Sequence, residues 1–147
     1  MGSRGSFWPQ LRYAVAATVV AGCASTPGPP PSPGSAPDSN LKAVSSLVES
    51  ARADASAGRL ANAAASMERA IRLAPRNARL WQELARVRLQ QGEFGQAEQV
   101  ALRSNSLNRG DASLRVANWD IIAQARAARG DAAGASSARE LAKRIEY

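Results

Sequence analysis

Histidine is absent from this sequence, and with it go the commonest general base and the commonest neutral metal ligand. A single cysteine, Cys23, excludes an internal disulfide, and there is no Cys/His cluster to hold zinc. Gly-rich phosphate loops are missing as well. The carboxylates sit singly, mostly beside basic residues, where acid–base catalysis needs a convergent pair. Ser45-Ser46 and Ser136-Ser137 fall on expected helices without a base partner. These absences exclude the usual catalytic constellations, so the expectation is a protein that is not an enzyme and holds no metal and no cofactor. No long segment alternates with period two, and aromatic residues are 5% of the chain. With Ala, Arg and Leu abundant, the fold class expected is all-α.

The formal charge is +7, from 19 basic and 12 acidic residues. The arginines are scattered along every expected helix and form no block, so the excess fits an acidic partner or an anionic surface better than nucleic acid. Nucleic acid is therefore not an expected partner.

No apolar run reaches the ~20 residues that a membrane-spanning helix needs. Tyr13 to Ala21 is a short one, preceded by Arg4 and Arg12, and it has the form of the apolar core of a secretory signal. Val20-Ala21-Gly22-Cys23 follows it directly and resembles a bacterial lipobox: an aliphatic residue, two small ones, then the Cys that is acylated and becomes the new N-terminus. The resemblance implies a signal peptide over 1–22 and lipidation at Cys23. Ala24 stands where an Asp retains lipoproteins in the inner membrane, so it also implies an outer-membrane, periplasm-facing anchor. More than one acyl chain is needed for a stable anchor, because one alone binds marginally. Residues 24–40 hold six of the eight prolines, have nothing to bury, and are expected to be a disordered, polyproline-biased tether. At ~3.1 Å per residue it reaches roughly 50 Å, so a partner in the inner membrane has to extend toward it.

The remaining 41–147 is repetitive. Gly58 to Pro75 carries apolar residues at Leu60, Ala63, Ala64, Met67, Ala70, Ile71 and Leu73, the spacing of one helical face. Gly92 lies 34 residues after Gly58, with Phe94 for Leu60 and Ala97 for Ala63. Trp81 and Gly92 recur at Trp119 and Gly130 after a step of 38, four residues more. Four residues are about one helical turn, placed at the start of the third unit's first helix with Asp111 as its cap. The helices expected are 41–57, capped by Ser39 or Asn40, then 60–74, one from Ala78 capped by Asn77, 95–107, one capped by Asp111, and 132–146. Leu47, Val48, Ala51 and Ala55 form the inner stripe of the first helix. Trp119, Ile122, Ala123 and Ala127 do so in the third unit, and Ala135, Ala138, Ala142 and Ile145 in the last helix. Ion pairs are expected for Glu68–Arg72 and Glu140–Arg144.

Gly58-x-Leu60-x-x-Ala63 through Pro75, and Trp81-x-x-Leu84-Ala85 through Gly92-x-Phe94-x-x-Ala97, resemble the tetratricopeptide repeat (TPR). The resemblance implies an α-solenoid of three helical hairpins, in units of about 41–75, 78–109 and 112–147. First helices of such hairpins line a concave groove. The expected groove residues are Val48, Arg52, Arg79, Gln82, Arg86, Leu89, Asp120 and Gln124, with three arginines that suit a partly acidic protein or peptide. Val48 and Arg52 occupy the places where chaperone-tail-binding TPRs carry Lys and Asn, so that activity is not implied. Cys23, the Pro27–Pro37 stretch, Arg103-Ser104-Asn105 and Asn118-Trp119-x-x-Ile122-Ala123 together resemble the small TPR lipoproteins of proteobacterial outer membranes, the LpoP-type activators of class A penicillin-binding proteins above all. This implies an envelope protein as partner, a class A penicillin-binding protein, with membrane attachment through the lipid. A pilotin-like assembly factor for a secretin and a general envelope scaffold remain alternatives. Cys23→Ala is expected to abolish incorporation of labelled palmitate in cells, and undiminished labelling would remove the anchor from the account.

Overall fold

The structure, a computed structural model, describes residues 36–146. Cys23, its apolar leader and most of the Pro-rich stretch lie outside the described residues. The described residues form six helices and no strand: α1 (Ala36–Ser56), α2 (Leu60–Leu73), α3 (Ala78–Gln90), α4 (Phe94–Leu107), α5 (Ala112–Ala128) and α6 (Ala132–Glu146). Each packs on the next in chain order, and α3 also touches α5. This is a stack of three antiparallel hairpins, α1–α2, α3–α4 and α5–α6.

The three hairpin turns are copies of one another. At the α3–α4 turn Gly92 takes φ 77°, a left-handed conformation that glycine adopts without a Cβ penalty. Its N–H donates to the Leu89 carbonyl (3.1 Å) and the Glu93 N–H to that of Arg88 (3.0 Å). This paired closure satisfies the orphan carbonyls at the helix end. Gly58 and Gly130 repeat it, with Arg59→Asp54 at 2.8 Å and Asp131→Arg126 at 3.0 Å.

Helix starts follow side-chain caps. Asn77 Oδ1 accepts from the Arg79 N–H (3.1 Å), and Asp111 Oδ1 accepts from that of Leu114 (3.0 Å). α5 has 17 residues against 13 in α3, which is the extra turn that the step of 38 implied. α1 departs from expectation by starting at Ala36, so Ser39 and Asn40 are helical residues and not caps. Pro37 does not prevent this, because a first-turn residue needs no N–H and the proline φ is already helical.

The core is two apolar clusters joined through α3. Ala51, Met67, Ile71, Leu80, Leu84 and Val87 form the first, with Trp81 packed against it. Ala85, Ala97, Ala101, Ile121, Ile122 and Ala138 form the second, with Trp119 against it. Fully burying a side chain such as Met67 or Ile122 contributes about 1.5–3 kcal/mol. At the hairpin crossings Ala63, Ala85, Ala97 and Ala138 have 0% exposure, so backbones approach with no side chain between them. Two expected core residues are not in the core. Leu73 is 43% exposed, because it is the last residue of α2 and lines an open cleft against α1. Ala127 is exposed and Ala125 is buried instead, since α5 is covered on more than one side.

A polar network ties the second hairpin to the third. Asn118 of α5, wholly buried, donates through Nδ2 to Ser104 Oγ (2.8 Å) and Asn105 Oδ1 (2.9 Å) of α4. Ser104 Oγ in turn donates to the Ala78 carbonyl of α3 (2.8 Å). Three helices thus share one chain of hydrogen bonds, and a buried chain of this kind specifies one register. Ala85→Leu is expected to overpack the α3–α4 crossing and cost about 1–3 kcal/mol, read as a lower urea midpoint. An unchanged midpoint would show that the crossing has slack.

Candidate functional site

α3 packs on α5, α1 meets α3 through an ion pair, and the two clefts between these first helices share residues. Arg52 of α1 pairs with Glu83 of α3 at 2.7 Å. Between α1 and α3 a shallow cleft of about 180 Å³ is lined by Arg52, Ala55, Glu83, Arg86 and Gln90. Between α3 and α5 a wider cleft of about 360 Å³ is lined by Arg86, Leu89, Gln90, Ala117, Asp120 and Gln124. Arg86 and Gln90 belong to both, so Arg86 stands at the middle of the groove.

Of the eight residues expected there, Arg52, Arg86, Leu89, Asp120 and Gln124 line these clefts. The other three do not. Val48 is half-buried and packs against the first apolar cluster. Gln82 is 7% exposed, and its amide faces the Leu114 carbonyl at 3.5 Å. Leu114 belongs to the extra turn of α5, which covers what would otherwise be an open groove position. Arg79 sits in the first turn of α3 and its guanidinium pairs with Asp111 at 2.5 Å, beside the α4–α5 connection. Glu83, Gln90, Ala117 and Ile121 were not anticipated as lining residues. Gln90 follows Arg86 by four and Ala117 precedes Asp120 by three, so helical spacing from the named residues would have found them.

The groove is therefore less basic than the arginine count implies. Arg52 is neutralised by Glu83, and Arg79 by Asp111. Arg86 and Asp120 are exposed and have no ion pair among the described residues. The surface offers one cation, one anion, two amides and an apolar floor of Leu89, Ala117 and Ile121. That combination suits a peptide segment with an apolar residue flanked by one acidic and one basic group. It provides no nucleophile with a base, and no group of three metal-ligating side chains converges among the described residues.

Elsewhere, pairing departs from the expected local ladder. Glu68 pairs with Arg88 of α3 (2.6 Å) and not with Arg72, and Glu140 with Lys143 (3.1 Å) and not with Arg144. Arg88 reaches both Glu68 and Glu93, so it staples two hairpins where a pair within α2 would brace one helix. Glu98, 8% exposed, accepts from Arg126 (2.7 Å) and Arg129 (3.0 Å) of α5 and its end.

The sequence profile of the tetratricopeptide repeat matches residues 54–116. The globular C-terminal domain of P. aeruginosa LpoP is 47% identical, with a TM-score of 0.67 over 68% of this chain and 94% of that domain. The chain belongs to the tetratricopeptide repeat family. The TPR domain of Arabidopsis OM64, at 21% identity, aligns with a TM-score of 0.65 over 73% of this chain and 85% of that one, a likeness of fold alone. No curated protein matches the sequence. No helix among the described residues of this TPR protein is long and apolar enough to cross a membrane.

Asp111, the cap of α5, is a residue whose charge the fold controls. The Leu114 N–H, the Ser113 hydroxyl and the Arg79 guanidinium all favour its carboxylate and hold its pKa below the ordinary 3.8, against a small opposing effect of desolvation. A carboxyl with a lowered folded pKa contributes stability that is complete above the ordinary value and is lost as pH falls through the folded one. Asp111→Asn keeps a capping oxygen and removes that titration. Its melting temperature is expected to fall less steeply than that of the parent on acidification below the ordinary carboxylate pKa. Parallel acid limbs would contradict the assignment.

Proposed function

We propose that this chain is an outer-membrane lipoprotein, held through Cys23, whose TPR domain binds a class A penicillin-binding protein and stimulates its polymerisation of peptidoglycan. The observation that carries the reading is 47% identity across 94% of the LpoP globular domain. Identity at that level extends well beyond the apolar positions that any helical hairpin must share. The lipobox-like Val20-Ala21-Gly22-Cys23 and the Pro-rich segment after it supply the anchor and tether that such an activator uses.

The docking site in this reading is the groove of α1, α3 and α5. The penicillin-binding protein presents an exposed segment with a carboxylate for Arg86, a donor for Asp120 and an apolar side chain over Leu89 and Ala117. Activation needs no chemistry from the TPR domain. It requires only that the synthase conformation favoured by docking be the more active one, and the gain equals the difference in affinity for the two conformations.

Purified protein is expected to raise the glycan polymerisation rate of its cognate synthase in detergent. Arg86→Glu reverses the unpaired groove cation without removing an internal ion pair. It is expected to weaken synthase binding at least ~10-fold, within the range measured for close charge pairs at interfaces, while leaving the melting temperature in place. An unchanged rate in the presence of bound synthase would reject activation. Unchanged affinity in the Arg86→Glu variant would move the site out of the groove.

A further inference from the structure

The two edges of the solenoid differ in charge. One edge carries the hairpin turns at Gly58, Gly92 and Gly130, and every cation near them is paired: Arg59 with Asp54 (2.8 Å), Arg88 with Glu93 (2.7 Å), and Arg126 and Arg129 with Glu98. The other edge carries the start of α1, the α2–α3 and α4–α5 connections and the end of α6. Lys42, Arg69, Arg72, Arg76, Arg109 and Arg115 lie there, all exposed and none in an ion pair among the described residues. Of the acidic residues described there, Asp111 is already paired with Arg79.

This basic edge also exposes apolar side chains. Leu41 is 69% and Leu73 is 43% exposed, two of the three large apolar residues so exposed among the described residues. Leu73 lines a cleft of about 410 Å³ with Leu47, Arg69 and Arg72, between the start of α1 and the end of α2. Cations beside protruding leucines are what a protein uses to rest on a lipid surface, the leucines entering the headgroup boundary and the cations meeting phosphates.

The geometry points to this edge as a docking face for anionic phospholipid, so that the domain stands on the membrane with its helix axes upright and its groove facing sideways. The choice of lipid over an acidic protein comes from where the chain is connected. α1 opens at this edge, and Cys23 lies 13 residues before Ala36, a reach of ~40 Å at ~3.1 Å per residue. An acyl anchor at Cys23 therefore ties the domain to the membrane by this edge, and the neutral edge lies about 30 Å further off along the 21 residues of α1. The inference rests on the lipid anchor proposed for Cys23, and it gives that anchor an orientation. A tether alone leaves the groove free to face any direction, whereas a docked edge leaves it open to a protein approaching along the membrane.

The test uses a chain beginning at Ala24, which lacks Cys23 and the apolar leader. It keeps the whole fold, since every buried apolar residue lies between Ala51 and Ala142 and the LpoP domain stands as a globular domain by itself. Co-sedimentation with vesicles rich in phosphatidylglycerol is compared with phosphatidylcholine vesicles across a salt series. Binding is expected to the anionic vesicles alone and to fade with added salt. Each cation near an anionic surface contributes about 5-fold, so Arg69→Gln, Arg72→Gln and Arg76→Gln together are expected to lower the partition at least ~10-fold. Arg86→Glu, in the groove, is expected to leave vesicle binding unchanged. Equal binding to both vesicle types, insensitivity to salt, or full binding by the triple variant would overturn the docking face. Binding of the edge to the synthase and not to vesicles would overturn it too. The synthase assay with Arg86→Glu is read separately, so failure of the docking face and failure of the activator reading are distinguishable.

Discussion

Close approach of antiparallel backbones, made possible by alanine, is the constraint from which this domain follows. Ala63, Ala85, Ala97 and Ala138 sit at the hairpin crossings without exposure. Side chains of this size let helices pack at the short end of the usual 8–10 Å range. A tight hairpin is a thin hairpin, and it cannot bury its apolar faces alone. Each must therefore stack on another, as in any repeat array. The groove results from that stacking, because first helices brought side by side present their remaining faces to solvent on one side.

Polar contacts then decide how the hairpins sit on one another. The Asn118–Ser104–Ala78 chain joins α5, α4 and α3 in the interior. Ion pairs Arg52–Glu83 and Arg79–Asp111 join first helices across the repeat spacing, while Arg88–Glu68 ties α3 to α2 and Arg126–Glu98 ties α5 to α4. The exposed ones among them, such as Arg52–Glu83, contribute only tenths of a kcal/mol to stability. Their consequence is electrostatic: they consume most of the groove's charge and all of the cations on the hairpin-turn edge. What is left free is Arg86 and Asp120 in the groove and a row of cations on the edge where α1 begins. Shape and residual charge are what the described groove presents to solvent.

Much of this is readable from residues alone, for identifiable reasons. Hairpin turns announce themselves because only glycine takes their positive φ cheaply, and the step from Trp81 to Trp119 exposed the extra turn of α5 and its Asp111 cap. Alanines at Ala63, Ala85 and Ala97 marked the crossings. What escaped was whatever depends on two hairpins at once. Gln82 lies on the correct face of α3 and is nevertheless buried, because the added turn of α5 lies over it. Arg52, Arg79 and Arg86 look equivalent in sequence, yet their fates are set by acids about one repeat away. Helical periodicity identifies one face of one helix. α3 buries two, with Leu80 and Val87 toward the first cluster and Ala85 toward the second. The start of α1 lies earlier than expected because residues 36–40 read as the end of a Pro-rich tether, whereas a proline in a first turn is compatible with helix.

The central claim is that this protein acts by holding another protein in the groove of its first helices. Photo-crosslinking in cells tests it most directly, with a photoreactive residue placed at Gln124 in the groove or at Gln99, exposed on the outer face of α4. The account predicts that position 124 captures a class A penicillin-binding protein and that position 99 does not. Capture from position 99 with none from 124, or capture from neither in cells where the two proteins co-purify, would contradict it.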